Sequence, residues 1–279
     1  MSWKIGQVLF IFLFCTACFS VDNTFVCTPS NPSGFYTLQA GQAISVTNAS
    51  QALNFSQNAI LAFLQLNANG SASFLLFSAD GKGTPQTFSG NWSTGGAKLN
   101  VNFQNGSALS GTLSEDFPYC ILNFDSTSFP ENPFSLPFGS QSTSVVLNIL
   151  FQQYQQNINP KILAASYQSS SLLAISNTDN NITAKLGGNN PATFAFTTDG
   201  SYVSNTVNSS GQIQNDSGTF NITNNYTLTT QSSLGGTVST YFYRFNQFNG
   251  KLTLVNYQGT YNFGSGPGPA TFSGTYLPP

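Results

Sequence analysis

Apolar and polar residues alternate along most of this chain. Leu99, Val101 and Phe103 are interleaved with Lys98, Asn100 and Asn102, and Phe220 and Ile222 with Thr219, Asn221 and Thr223. Tyr241, Tyr243 and Phe245 share one face of a further segment. A period of two predicts strands with one buried face. Between these segments lie Asn69-Gly70, Asp80-Gly81, Asn105-Gly106, Asp199-Gly200 and Asn249-Gly250. Each pair supplies the positive φ that tight hairpins require. The pattern predicts an all-β protein of antiparallel strands in up-and-down order.

The pattern is written twice. Leu64-Gln65-Leu66-Asn67-Ala68-Asn69-Gly70-Ser71 matches Phe194-Ala195-Phe196-Thr197-Thr198-Asp199-Gly200-Ser201. Ser89-Gly90-Asn91-Trp92 then matches Ser217-Gly218-Thr219-Phe220, with Leu99 and Leu228, and Gly106 and Gly235, following at similar distances. Between the copies, residues 129–138 carry Pro130, Pro133 and Pro137, which predicts a linker because proline cannot sit in a central strand. Val146, Leu150, Tyr154 and Ile158 follow at helical spacing in a stretch without Gly or Pro, which predicts one amphipathic helix. The expected organisation is a signal peptide over 1–20, a β domain over 21–128, a linker over 129–139, and a helix plus second β domain over 140–279.

Lys4 followed by the short apolar run Val8 to Phe14 reads as a secretion signal, too short to span a bilayer. Cys15-Thr16-Ala17-Cys18 loosely matches a lipobox, so a lipid anchor through Cys18 is the alternative. After removal of the signal, Cys27 and Cys120 remain, and in an exported chain this predicts a disulfide between them. Charged residues make up 6% of the chain and net charge is −2. No basic patch can assemble from so few cations, which excludes phosphate-based nucleic-acid binding. The 26 Phe and 11 Tyr supply ample core.

The repeated unit resembles the lipocalin-like domains of the calycin group, especially the short bacterial kind. The residues that carry the likeness are Asn69-Gly70 with Ser89-Gly90-Asn91-Trp92, and Asp199-Gly200 with Ser217-Gly218-Thr219-Phe220. Gly34-Phe35-Tyr36 is similar to the Gly-x-Trp near the start of such barrels, with Tyr in place of Trp. The resemblance implies two small antiparallel barrels in tandem, of a kind that often holds an apolar molecule inside.

The chain contains no histidine, which removes Ser-His-Asp and Cys-His catalysis and imidazole metal ligation together. Glu115-Asp116 is the one adjacent acidic pair, and strand neighbours point to opposite faces. Asp80 and Asp199 are turn residues, and Asp125, Glu131, Asp179 and Asp216 fall in polar stretches. No cofactor or metal site is expected. The candidate ligand-binding residues are Arg244, Tyr243 and Trp92. Arg244 either anchors a ligand carboxylate inside the second barrel or faces outward, opposite the inward aromatics. Asn69 and Asn105, in hairpin tips, are the best N-glycosylation candidates of a glycoprotein. These features point to a secreted, non-enzymatic binding protein for an apolar or amphipathic small molecule, without a transmembrane segment. The alternative is a surface adhesin or coat protein contacting carbohydrate or other proteins.

Overall fold

The computed structural model describes residues 31–77, 85–116, 119–130, 133–134, 144–154, 163–178, 182–186, 191–207, 212–246 and 249–279. The first sheet contains β1 (Gly34–Ser45), β2 (Ala52–Asn54), β3 (Leu61–Leu66), β4 (Ser71–Phe77), β5 (Gln86–Gly95), β6 (Lys98–Phe103), β7 (Ala108–Asp116), β8 (Tyr119–Ser128) and β9 (Val145–Tyr154). From β3 to β9 each strand pairs with the next, and β9 returns to β1, closing an eight-stranded antiparallel barrel. The β1–β9 ladder runs from Phe35↔Tyr154 to Ser45↔Val145. On its other edge β1 is shared by β3 and the short β2.

The second sheet repeats this plan strand for strand. It contains β10 (Ser166–Ser176), β11 (Thr183–Lys185), β12 (Thr193–Phe196), β13 (Ser201–Val207), β14 (Ile213–Asn224), β15 (Thr227–Ser232), β16 (Val238–Asn246), β17 (Lys251–Asn262) and β18 (Pro267–Leu277). Here β18 closes onto β10, from Gln168↔Leu277 to Ser176↔Ala270, and β11 takes the place of β2. Closure removes free edges, the usual liability of an all-β chain.

The repeated motif has a mechanical meaning. Gly70 and Gly200 hold φ of 84° and 86° in matching turns, and each turn's carbonyl accepts a hydrogen bond from Trp92 N–H or Phe220 N–H at 2.8 Å. Gly90 and Gly218 lie where the neighbouring strand passes closest. A Cβ would sit 2.0 Å from Asn102 O in the first case and 1.9 Å from Gln231 O in the second. Side chains alternate accordingly: Leu64, Leu66, Phe74, Leu99 and Val101 fill the first barrel, and Phe194, Phe196, Phe220, Leu228 and Tyr243 the second.

The helix expected after the prolines is strand β9. Val146, Leu150 and Tyr154 are four apart, and a spacing of four satisfies a period of two as well as one near 3.6. The residues that enter the barrel are the odd ones, Val145, Leu147, Ile149 and Phe151. Ile158 lies outside the described residues. The first barrel therefore extends to Tyr154, and the proline-rich stretch does not join the barrels. It connects β8 to β9, and its described part packs against the first barrel. Phe129 lies on Phe74, Phe88 and Phe103, with ring centroids 6.1, 5.5 and 6.4 Å away. Phe134 packs on Phe55 at 5.4 Å, and Gln86 Nε2 donates to Pro133 O.

The two barrels dock by their outer walls. Phe35, Leu61, Phe63 and Phe77 point away from the first barrel's interior yet are buried, in a cluster with residues of the second. Phe77 meets Phe242 at 4.5 Å and Tyr257 at 6.0 Å, and Phe63 meets Tyr226 at 5.1 Å. Left in water, each such ring would cost about 1.5–3 kcal/mol. Polar contacts fix the register of docking: Tyr257 Oη donates to Ala59 O at 2.8 Å, and Asn246 Nδ2 to Gln39 Oε1 at 2.8 Å.

Candidate functional site

Because the barrels share one topology, their interiors can be compared position by position, and at one end they differ in kind. In the first barrel Phe74 pairs with Phe88, and Gly90 with Phe103. The equivalent pairs in the second are Ser204 with Asp216 and Gly218 with Ser232. Three phenylalanines are thus replaced by two serines and a carboxylate. Val101 and Leu109, which pair in the first barrel, become Thr230 and Ser239. Two small residues change the other way: Ala72 corresponds to Tyr202, and Gly111 to Tyr241.

The result is a polar group built around Asp216. Tyr202 Oη donates to its Oδ2 at 2.6 Å, Ser232 Oγ to its Oδ1 at 2.6 Å, and Ser217 N–H to Oδ1 at 2.8 Å. Burial raises the carboxyl's pKa, but these three hydrogen bonds outweigh it, and the net shift is below the ordinary carboxylate value. Asp216 is therefore ionised at neutral pH. Tyr202 is shifted upward, first by burial and then by its bond to Asp216. Below this layer the wall is aromatic. Phe194 stacks on Phe196 at 5.4 Å, with Tyr276 edge-on at 5.4 Å and Tyr241 at 6.3 Å.

The two ends are also covered differently. In the first barrel the β8–β9 connection lays Phe129 over the phenylalanine cluster. The equivalent β17–β18 connection is only residues 263–266, and its aromatic residue, Phe263, packs edge-on to Tyr261 at 4.9 Å. Asp216 is half-buried, whereas its neighbours Tyr202, Ser204 and Thr230 are buried. Leu234, in the turn after Ser232, is 73% exposed, and Val238 beside it 62%.

The residues singled out from the sequence do not converge. Tyr243 faces the interior of the second barrel; its Oη donates to Asn224 O at 3.5 Å. Arg244 points the opposite way, out of that barrel and into the junction. Its Nη1 donates to Leu38 O at 2.7 Å and Gln39 O at 3.4 Å, and Nη2 to Thr253 Oγ1 at 3.3 Å. Burial without an acidic partner pushes its pKa down to about 10. Trp92 closes a turn of the first barrel, its Nε1 donating to Asn67 O at 2.8 Å. Cys120 is buried in the first core, and Cys27 lies outside the described residues. Asn69 and Asn105 are exposed, and their side-chain oxygens accept from Ser71 N–H and Ser107 N–H.

Residue order alone does not mark Asp216, because a lone aspartate among Ser and Asn has the character of a loop residue. The signal that could have found it is the aligned motif: Phe88 precedes Ser89-Gly90 where Asp216 precedes Ser217-Gly218. Among the described residues no three His, Cys, Asp or Glu side chains come together as a metal site, and no helix is long and apolar enough to cross a membrane. No family model matches the chain, and no curated protein is similar enough to count as a relative.

Proposed function

We propose that this chain is an exported, non-enzymatic binding protein whose second barrel takes an amphipathic small molecule at the end lined by Asp216. The supporting observation is the replacement of Phe74, Phe88 and Phe103 by Ser204, Asp216 and Ser232 within an otherwise repeated fold. A purely structural duplicate has no use for an ionised carboxylate where its twin carries a phenyl ring. Leu234 and Val238 beside this end offer apolar surface to the rest of such a molecule. The lipocalin-like character of each unit belongs to this proposal, supported by the Asx-Gly and Ser-Gly motifs and by a first strand that pairs with both the second and the last. So does a Cys27–Cys120 bridge, consistent with the burial of Cys120 in the first core; thiol labelling of the unfolded, unreduced chain should tag neither residue.

Native mass spectrometry of the freshly secreted full-length chain tests the reading. A bound small molecule, lost in the Ser204→Phe/Ser232→Phe variant while the fold persists, is the expected result. A ligand retained by that variant, or a wild type that binds no amphiphile at all, overturns it. The adhesin alternative draws on the uncharged outer wall of β13 to β15, where Val203 is 61% exposed beside Asn205, Asn215 and Thr229. Retention on immobilised glycans without small-molecule binding would favour it.

A further inference from the structure

We infer that the molecule bound at the Asp216 end is an organic cation, an amine or quaternary ammonium group carrying an apolar tail. This rests on the binding reading above and adds the chemistry of the ligand. Asp216 is surrounded by neutral donors only: Tyr202, Ser232 and the Ser217 amide. Among the described residues no lysine or arginine balances its charge. Arg244, the chain's only arginine, is committed to the junction between the barrels.

Charge and geometry then favour one class of ligand. An anionic headgroup would meet like charge in a partly desolvated setting, where repulsion is stronger than in water. An uncharged hydroxylated headgroup can donate only to the carboxylate's remaining lone pair and gains no charge–charge attraction. A cation gains from the unpaired charge directly and from the faces of nearby rings, of which Tyr202 and Tyr241 are the two that the first barrel lacks. The three donors hold the carboxylate in place, so a ligand meets a preorganised charge rather than a mobile side chain. The first barrel serves as an internal control, because Phe88 stands at the equivalent position.

The test is calorimetric titration of the full-length protein at neutral pH with three ligands of equal tail length, each below its micelle concentration: decyltrimethylammonium, decyl sulfate and decyl maltoside. The expected result is one site per chain, at least tenfold tighter for the cation than for either of the others. Asp216→Asn should remove that preference and leave the maltoside affinity within about twofold. Asp216→Ser also removes the charge and should abolish the preference in the same way, so the test stands even if Asp216→Asn proves unstable. Equal binding of all three ligands, or a preference that survives in folded Asp216→Asn, overturns the cation inference and leaves the binding reading standing. Absence of binding by all three overturns both.

Discussion

Arg244, a residue of the second barrel, donates to the carbonyl oxygen of Leu38 in the first at 2.7 Å. The acceptor is available because β1 has a bulge between Leu38 and Ala40 that breaks its ladder with β9, and a bulge leaves backbone groups without ladder partners. The repeat plan places an equivalent irregularity in β10, between Ser169 and Ser171, but there Ser170 Oγ bonds to Thr275 O within its own barrel. The same local defect is thus used once for docking and once internally.

Replacing Arg244 should loosen the junction rather than either barrel. Arg244→Ala leaves the Leu38 carbonyl buried without a donor and is expected to cost about 2–3 kcal/mol. Differential scanning calorimetry should show one transition in the wild type and two in the variant, as the barrels melt separately. A single transition at an unchanged temperature would contradict this.

The duplicated glycines should be intolerant of a methyl group. Gly90→Ala and Gly218→Ala each push a Cβ against a cross-strand carbonyl, an overpacking expected to cost about 1–3 kcal/mol. Gly95→Ala is the control, since a Cβ there meets nothing within 4 Å. Urea titration of the three variants should separate the first two from the third.

The chain should divide after β9 and not before it. Fragments 1–154 and 155–279 keep each barrel's strands together, and mixed in solution they should reassociate through Phe77, Phe242 and Tyr257. A cut at 140 detaches β9 from β1 and β8, so the fragment 140–279 carries Val145, Leu147, Ile149 and Phe151 with no barrel to fill. Size-exclusion chromatography should show a 1:1 complex for the first pair and aggregates for the second.

Stability should form a plateau in pH. Asp199 is held below its usual pKa by hydrogen bonds from Thr197 and Ser201, and Asp216 by those from Ser232, Tyr202 and Ser217, which exceed the opposing effect of burial. Their contribution is present above the unfolded carboxylate value of about 3.9 and is lost as pH falls through the lower folded values. Burial raises Tyr36, Tyr202, Tyr241 and Tyr276 above the ordinary 10.0, so their contribution is complete below that value and lost as pH rises through the folded ones. With no histidine between these limits, the melting temperature should change little from about pH 4 to 10. A fall of ten degrees between pH 8 and 5 would contradict this.

What the sequence determined by itself was local. Alternation at Leu99, Val101 and Phe103 and the positive φ of Gly70 and Gly200 depend on near neighbours, so strands, turns and the doubled unit were legible from residue order. Tertiary structure decided what depends on distant partners. Val146, Leu150 and Tyr154 fit helix and strand equally, and only the open ladder positions of β1 and β8 make that segment a strand. Phe63 and Phe77 look like core residues of their own barrel, yet they face outward, and their burial requires a second barrel. Asp216 became distinctive only when closure turned it inward, to the place where the first barrel holds Phe88. Side-chain direction follows from residue order within a strand, but what lies on each side of the sheet is set by chain that is far away in sequence.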